Sequence, residues 1–340
     1  MENQFVRKVL DQFAKHIAIF VLVISIGIMA YIIYDLAIAK EKTAHNFLEK
    51  VSDRTFHGLN NFFQPIEQQL TTTAAQLGAR KIDLWNTEQL KSVFVPIMER
   101  NSSINVIGLY TESGLDFDVM RDSTEGTYLV RSVNEIDSSS SYFRSYFSMQ
   151  EKILTLDSIW KNEYEHGEFA SQRNNRLTSQ MNKVLWSNPY MLRNSKQSGI
   201  TVSYGWLLPH YENQRAVLSL DIKLSKISHF IKGLQPSENS EIMITTGDKN
   251  IVIGLQTKAK NLLADYQPLT NVADIDNPEL LHILQQPDSE KAFRFRQDGT
   301  DWWGLINPYT LNSEQQFYVL IAVPEKDFIQ ELKEAQLLMI

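Results

Sequence analysis

Aromatic, cationic and acidic side chains are concentrated between residues 173 and 221, where they could form a pocket for a small zwitterion or acid. Such a pocket needs an apolar or aromatic wall, a cation for a carboxylate and an anion for an amine. The candidates for these roles are Arg173, Arg176, Trp186, Tyr190, Tyr204 and Asp221. Each has a structural alternative, because the aromatics can pack in a core, the Arg side chains can be solvated, and Asp221 can cap a helix that begins near Leu224.

Patterns typical of catalytic centres are missing from the sequence. The nearest match to a nucleophile elbow, TVSYG at residues 201–205, has Thr where the motif needs Gly and falls in a predicted strand. There is no phosphate-binding loop or dinucleotide fingerprint, and residues 298–301 read as a turn rather than a calcium loop. Without Cys, the chain has no thiol nucleophile, disulfide or Cys-type zinc site. We therefore expect a binding protein without metal or cofactor rather than an enzyme.

The composition is that of a folded protein with room for about two domains. The chain has 340 residues, of which 43% are hydrophobic and 21% are charged, and its net charge is −7. At roughly 150 residues per domain, this length predicts two domains. The acidic balance argues against nucleic acid as a partner, because binding to the phosphate backbone needs a basic surface.

One segment is far more apolar than the rest of the chain. Residues 17–34 contain no charged side chain, and the apolar stretch continues to residue 39 with Asp35 as its one charge. Because about 20 helical residues cross the hydrocarbon core of a bilayer, we predict an uncleaved transmembrane helix over residues 17–39. A cleaved signal peptide is the alternative, since residues 37–39 resemble a cleavage site, but the run exceeds the usual length of a signal sequence.

The regions beside this segment set the expected topology. Basic residues lie on both sides, so their count does not choose an orientation. The large Cys-free region that follows fits export. We predict a cytoplasmic tail at residues 1–16, and residues 40–330 in the periplasm or outside the cell. Residues 326–340 predict an exit helix and the start of a second transmembrane helix; a short C-terminal helix packed on the body is the alternative.

The remainder predicts one long helix followed by the same order of elements twice. Apolar residues recur every three or four positions from Ala44 to Leu77, which predicts a stalk helix over residues 40–80 that is kinked or restarted at Pro65. Residues 81–235 read as hairpins, further strands and a closing helix. Residues 236–325 begin with a linker at 236–240 and then repeat a shorter version of this order. Antiparallel sheets with helices on one face make this an α+β protein.

The order of these motifs resembles the double Cache domain, an extracytoplasmic sensor of bacterial transmembrane receptors, over about residues 40–330. The likeness rests on the span and stalk, on WSNPY at 186–190, on GITVS at 199–203, on the strand that ends at 221–222 and on FYVLIAVPEKDF at 317–328. It implies two PAS-like antiparallel-sheet modules in tandem. Residues 81–235 would form the membrane-distal module and residues 236–325 the membrane-proximal one.

The resemblance also implies a function. Such domains bind amino acids, amines or small carboxylates, usually in the distal module. They relay binding to a cytoplasmic cyclase, histidine kinase, phosphatase or chemoreceptor module, which is absent from this chain. Asp221 matches the later Asp of the family's amino-acid pattern, and Tyr190 matches an upstream aromatic. The two registers for the family's Arg and aromatic pair are Arg144 with Tyr146 and Phe147, or Arg173 with Arg176.

Two other classes of protein fit the same sequence. One is an anchored or secreted hydrolase, against which the missing catalytic motifs count. The other is a structural module that dimerises through residues 44–77 without a ligand. For the sensor, we expect a homodimer in the membrane, with the 44–77 helices near its two-fold axis.

Overall fold

The computed structural model describes residues 2–79, 82–122, 126–134, 141–148, 154–160, 181–192, 197–256, 269–287, 289–312 and 315–327. Helix α1 (Glu2–Ala79) includes both the apolar segment and the predicted stalk. Its apolar part is long enough to cross a membrane and is exposed on every side. The helix continues through Pro65, so the alternative of a new helix starting there is wrong. Pro65 and Asn61 lie on the exposed side of α1, where water can bond the Asn61 carbonyl that a proline leaves unpaired.

The module that follows α1 is built on a nine-stranded antiparallel sheet. Helix α2 (Thr87–Arg100) precedes this sheet, and helix α3 (Leu224–Lys232) follows it. The strands are β1 (Ile104–Thr111), β2 (Leu115–Arg121), β3 (Thr127–Asn134), β4 (Ser141–Ser148), β5 (Leu154–Trp160), β6 (Val184–Trp186), β7 (Tyr190–Leu192), β8 (Gln197–Leu208) and β9 (Gln214–Lys223). Their order is β5-β4-β3-β2-β1-β9-β8-β6, and β7 also pairs with β8.

Each strand of this sheet presents alternate residues to its two sides. Ile107 of β1 and Phe117 of β2 lie in the core on the side of α1 and α2, which we call the helix face. On α2, Phe94 packs on Phe117 with ring centroids 5.8 Å apart, and the Asn86 side chain caps the helix by accepting from the Gln89 N–H at 3.1 Å. The opposite side of the sheet, which points away from α1, is called the far face.

The second module has a five-stranded antiparallel sheet in the order β11-β10-β14-β13-β12. Its elements are β10 (Glu241–Thr246), β11 (Val252–Gln256), helix α4 (Pro278–Leu284), β12 (Ser289–Gln297), β13 (Thr300–Thr310) and β14 (Gln316–Pro324). We expected helices on one face, but α1 covers one side and α4 covers the other. The reason is an apolar far face, where Met243, Ile306 and Leu320 pack with Leu280 and Ile283 of α4.

Helix α1 contacts both modules at successive levels. The Tyr309 hydroxyl of β13 donates to Asn60 Oδ1 at 2.8 Å, whereas Trp186 of β6 packs on Phe63 with ring centroids 5.2 Å apart. The apolar stripe from Ala44 to Leu77 is buried against these sheets of its own chain. We call the second module proximal and the first distal, by their distance along α1 from the apolar segment. The predicted α+β class with two tandem antiparallel-sheet modules is confirmed.

Candidate ligand site

The far face of the distal sheet carries charged and hydroxyl side chains that are buried. Asp118 is 3% exposed and Asp116 is 5% exposed, although both are carboxylates. Among the residues whose burial the structure describes, this face carries Tyr110, Asp116, Asp118, Thr201 and Ser219, which are buried, and Arg131, Ser203 and Asp221, which are half-buried. Burying a charge costs free energy unless it is paired, so these groups should lie in bonded clusters.

One such cluster surrounds Arg131 of β3. A single guanidinium nitrogen, Nη2, donates to Asp116 Oδ1 at 2.9 Å and also to Asp118 Oδ2. The Tyr110 hydroxyl donates to Asp118 Oδ1 at 2.8 Å. Burial alone would lower the pKa of Arg131, but the nearby charges of Asp118 and Asp116 raise it above its usual value. Arg131 therefore stays charged and ties β2 to β3.

A second cluster is formed by Tyr190, Thr201 and Asp221. Thr201 of β8 lies opposite Asp221 of β9 and donates its hydroxyl proton to Asp221 Oδ1 at 2.7 Å. Since that proton is committed, the Tyr190 hydroxyl is the donor in its own bond to Thr201. The Ser187 side chain fixes the centre of the cluster by accepting the Thr201 backbone N–H at 2.9 Å. A carboxylate accepts several hydrogen bonds at once, so Asp221 can bind an ammonium group while Thr201 donates to it.

Small residues separate the two clusters. Gly108 of β1 lies between Asp118 on β2 and Ser219 on β9. A Cβ at Gly108 would stand 2.6 Å from Asp118 Oδ1 and would also overlap the Tyr110 hydroxyl, so Tyr110 reaches Asp118 only across a glycine. Three strand spacings of about 4.8 Å separate β3 from β9. On the far face, the acidic groups of β2 and β9 therefore lie on either side of β1, with Gly108 between them.

The structure brings together two of the six side chains predicted from the sequence. Tyr190 and Asp221 share the Thr201 cluster, and Asp221 does not cap α3, whose cap position is Lys223. Trp186 lies instead on the helix face, where its Nε1 donates to Glu67 Oε1 at 2.6 Å. Tyr204 is on the same helix face, stacked near Trp206 at 6.3 Å.

The predicted arginines are placed differently. Arg173 and Arg176 lie outside the described residues. The alternative pair, Arg144 and Tyr146, belongs to β4, as the strand prediction for that stretch required. Within the residues that the structure describes, no group of three His, Asp or Glu side chains could hold a metal ion.

The Arg131 cluster escaped the sequence prediction although it left a signal. Residues 115–119 read LDFDV, in which two acids alternate with three apolar residues. In a strand, this alternation places both acids on one side of the sheet. It did not reveal that this side is buried, which depends on what lies over it.

Comparison with known proteins identifies the fold. No family model and no curated protein sequence matches the chain. The ligand-binding domain of the Pseudomonas fluorescens chemoreceptor CtaA, solved with L-isoleucine, is similar at a TM-score of 0.50 and 10% identity, over 86% of this chain and 97% of that one. The sensory domain of the Campylobacter jejuni chemoreceptor Tlp3 gives 0.50 and 10%, over 86% and 94%. The chain therefore has the fold of double Cache sensor domains, as its sequence motifs predicted.

Proposed function

We propose that this chain is the ligand-sensing part of a membrane-anchored bacterial receptor. In this proposal its ligand is a small molecule with an ammonium group, such as an amino acid or an amine. The ligand lies on the far face of the distal sheet, against Asp221. The observation that carries the proposal is the polar character of that face, where Asp116, Asp118 and Thr201 are buried and Asp221 is half-buried, because buried polar groups cost free energy and in some proteins are kept for recognition or specificity. The sensory fold and the isoleucine complex of CtaA support the same ligand class.

Membrane anchoring is supported by the apolar part of α1. Its side chains are exposed on every side within the described chain. A bilayer would cover these apolar side chains, and Asp35, near one end, is the one charged residue of the segment. We place residues 1–16 in the cytoplasm and the two modules in the periplasm. The segment after residue 325 would return toward the inner membrane and relay the signal to a cytoplasmic output domain.

Ligand binding is tested on the full chain in detergent. L-isoleucine, the other proteinogenic amino acids and simple amines are screened by thermal shift, and the affinity of a hit is measured by calorimetry. We expect Asp221→Ala to weaken it about ten- to a hundredfold, because a charge-assisted hydrogen bond contributes about 1.5–3 kcal/mol. Asp276→Ala, at an exposed position of the proximal module, is the matched control. A ligand that binds the Asp221 variant and the parent equally would place the site elsewhere.

A homodimer is supported by the exposed side of the stalk. Glu49 and Asp53 lie on one flank of this side, and Lys50 and Arg54 lie on the other, all exposed. In a parallel pair of helices related by a two-fold axis, opposite flanks face each other, so acids of one copy would meet bases of the second. The buried stripe itself is occupied within the chain, so the dimer would use the polar side.

Single Cys residues test this arrangement, since the chain has no Cys of its own. Cys placed at the exposed positions Asn46, Asp53 and His57 should crosslink between subunits in membranes, whereas Cys at the buried position Thr55 should not. Equal crosslinking at exposed and buried positions, or none at any of them, would reject a dimer through the stalk.

A further inference from the structure

Two carboxylates directly after β14 bind two different parts of the molecule. Glu325 and Asp327 lie in helical residues 325–327, which directly follow Pro324. Glu325 is 8% exposed, although it is an acid at the end of a sheet. Their position makes them the first side chains of the segment that leaves the proximal module.

Glu325 ties this segment to the stalk and to the proximal sheet. Its carboxylate accepts from Lys40 Nζ, 285 positions away in sequence. It also accepts from Arg294 Nε at 2.8 Å and from Trp303 Nε1 at 3.3 Å. Lys40 is the first residue after the apolar segment of α1, so this contact joins the incoming and outgoing chains at one level.

Asp327 ties the same segment to the linker between the two modules. It accepts the Ser237 hydroxyl at 2.9 Å, the Asn239 backbone N–H at 3.2 Å and the Asn239 amide Nδ2 at 2.8 Å. The linker is itself a compact turn, because Ser240 Oγ donates to the Ser237 carbonyl at 2.7 Å and accepts the Ser237 N–H at 3.1 Å. Asp327 therefore binds a loop whose conformation is stabilised by its own hydrogen bonds.

The linker is connected to the far-face site through a short stretch of chain. Asp221 lies near the end of β9, α3 begins at Leu224, and the linker follows α3 directly. Leu234, just before the linker (residues 236–240), packs closely against α1. A Cβ at Gly58 would stand 2.7 Å from Leu234 Cδ2. A displacement of β9 and α3 thus moves the loop that holds Asp327.

We propose that Glu325 and Asp327 act as a two-point clasp that sets the position of the exit segment. Through Asp327 the exit segment moves together with the inter-module linker. Through Glu325 it stays attached to the stalk. The exit segment then reports the position of the linker relative to α1, whichever small molecule the distal module binds. Two charge-assisted attachments from residues two positions apart leave this segment little independent freedom.

The clasp is tested by the distance between the stalk and the exit segment in the full chain. Cys residues at the exposed positions Asn46 and Lys326 carry spin labels, and their separation is measured by pulsed electron resonance in lipid nanodiscs without added ligand. The parent should give one narrow distribution. Asp327→Ala and Glu325→Gln should each broaden it, whereas the exposed control Asp276→Ala should leave it as in the parent.

A second variant changes the linker side of the Asp327 contact, so that the test does not depend on a substitution at Asp327 itself. Asn239→Ala removes the amide that donates to Asp327 and leaves the acid in place. It should broaden the distribution, but less than Asp327→Ala does, because the Ser237 hydroxyl and the backbone N–H of residue 239 still donate to Asp327. Its circular dichroism should match that of the parent. Distributions as narrow as the parent's in Asn239→Ala and Glu325→Gln would overturn the clasp.

Discussion

The two modules share a sheet design but fill their far faces with different chemistry. In the distal module, Arg131 pairs with Asp116 and Asp118 on that side. In the proximal module the same side is a small apolar core, in which Ile283 of α4 packs over Ile306 and Leu320. A polar floor offers hydrogen bonds to a ligand, whereas a filled apolar face offers only packing within the chain. Under the proposed function, the distal module binds the ligand and the proximal module supports it.

A glycine under each far face shows the same difference at atomic scale. At Gly108 of the distal sheet, the atoms that exclude a Cβ are the Tyr110 hydroxyl and an Asp118 oxygen. At Gly304 of the proximal sheet, they are Ile283 Cγ1 at 2.8 Å and Phe293 Cζ at 3.0 Å. Both modules use glycine to let a neighbour approach the sheet, but the neighbour is a polar network in one and an apolar helix in the other.

Removing the distal cation should have the largest effect. Arg131→Met leaves Asp116 and Asp118 buried without their shared partner, and we expect it to lower the free energy of unfolding by about 3–5 kcal/mol. Arg131→Lys should cost much less, because one guanidinium nitrogen contacts both carboxylates and one ammonium nitrogen can replace it. Urea denaturation measures both. If Arg131→Met lowers the free energy of unfolding by less than about 1 kcal/mol, as expected for an exposed ion pair, the distal far face does not hold a buried charged network, and the contrast with the proximal far face is wrong.

The two glycines give a crossed test of intermediate size. Gly108→Ala and Gly304→Ala should each lower the free energy of unfolding by about 1–3 kcal/mol, because each Cβ enters occupied space. Adding Tyr110→Phe should recover part of the first loss, because it removes the crowding hydroxyl. Adding Ile283→Val should recover a smaller part of the second, because it removes Cδ1, which would stand 3.0 Å from the new Cβ, and keeps the γ-carbon. The exchanged combinations should be additive within about 0.5 kcal/mol.

Gly233→Ala is the control for this pair, because its Cβ would meet its nearest neighbour at 3.4 Å and its φ is −71°. It should change stability by less than about 0.5 kcal/mol. Rescue of Gly108→Ala by Ile283→Val would mean that the far faces are not the independent units described above.

The smallest effect is expected at Asp248, in the turn between β10 and β11 and away from both far faces. The hydrogen bond from the Thr246 hydroxyl lowers the pKa of Asp248 below its usual value. A group with a lowered folded-state pKa contributes stability above its unfolded pKa, and this contribution disappears as the pH falls through the folded-state value. Asp248→Ala should therefore lower the melting temperature slightly at pH 7 and not at about pH 2. An equal loss at both values would exclude the carboxylate as the cause.

The parts of the fold that depend on periodicity could be predicted from the sequence. The apolar stripe of α1, the hairpins and the short linker follow from spacing and turn residues, which act locally. The alternation of β8 and β9 also places Thr201 and Asp221 on one side. Periodicity does not say which side a given strand turns inward. For this reason Trp186, chosen for its aromatic character, lies on the helix face against Phe63.

The Arg131 cluster was missed for a related reason. Alternating acids such as Asp116 and Asp118 are usual on a solvated sheet face, so their pattern carries no sign of burial. Their pairing with Arg131 requires the register of β2 against β3, which is a non-local property. The residues that distinguish the distal far face from the proximal one are therefore the ones that local sequence patterns predict least well.

The close contact between Gly58 and Leu234 divides α1, beyond the apolar segment, into two arms of similar length. From Gly58 the helix extends 18 residues to Lys40 and 21 residues to Ala79, which correspond to arms of about 27 Å and 32 Å. Taken as a lever with its fulcrum at this contact, α1 has nearly equal arms. In the proposed receptor, a tilt at the distal end would reach Lys40 in the opposite direction and with slightly smaller amplitude, because the arm toward Lys40 is the shorter one.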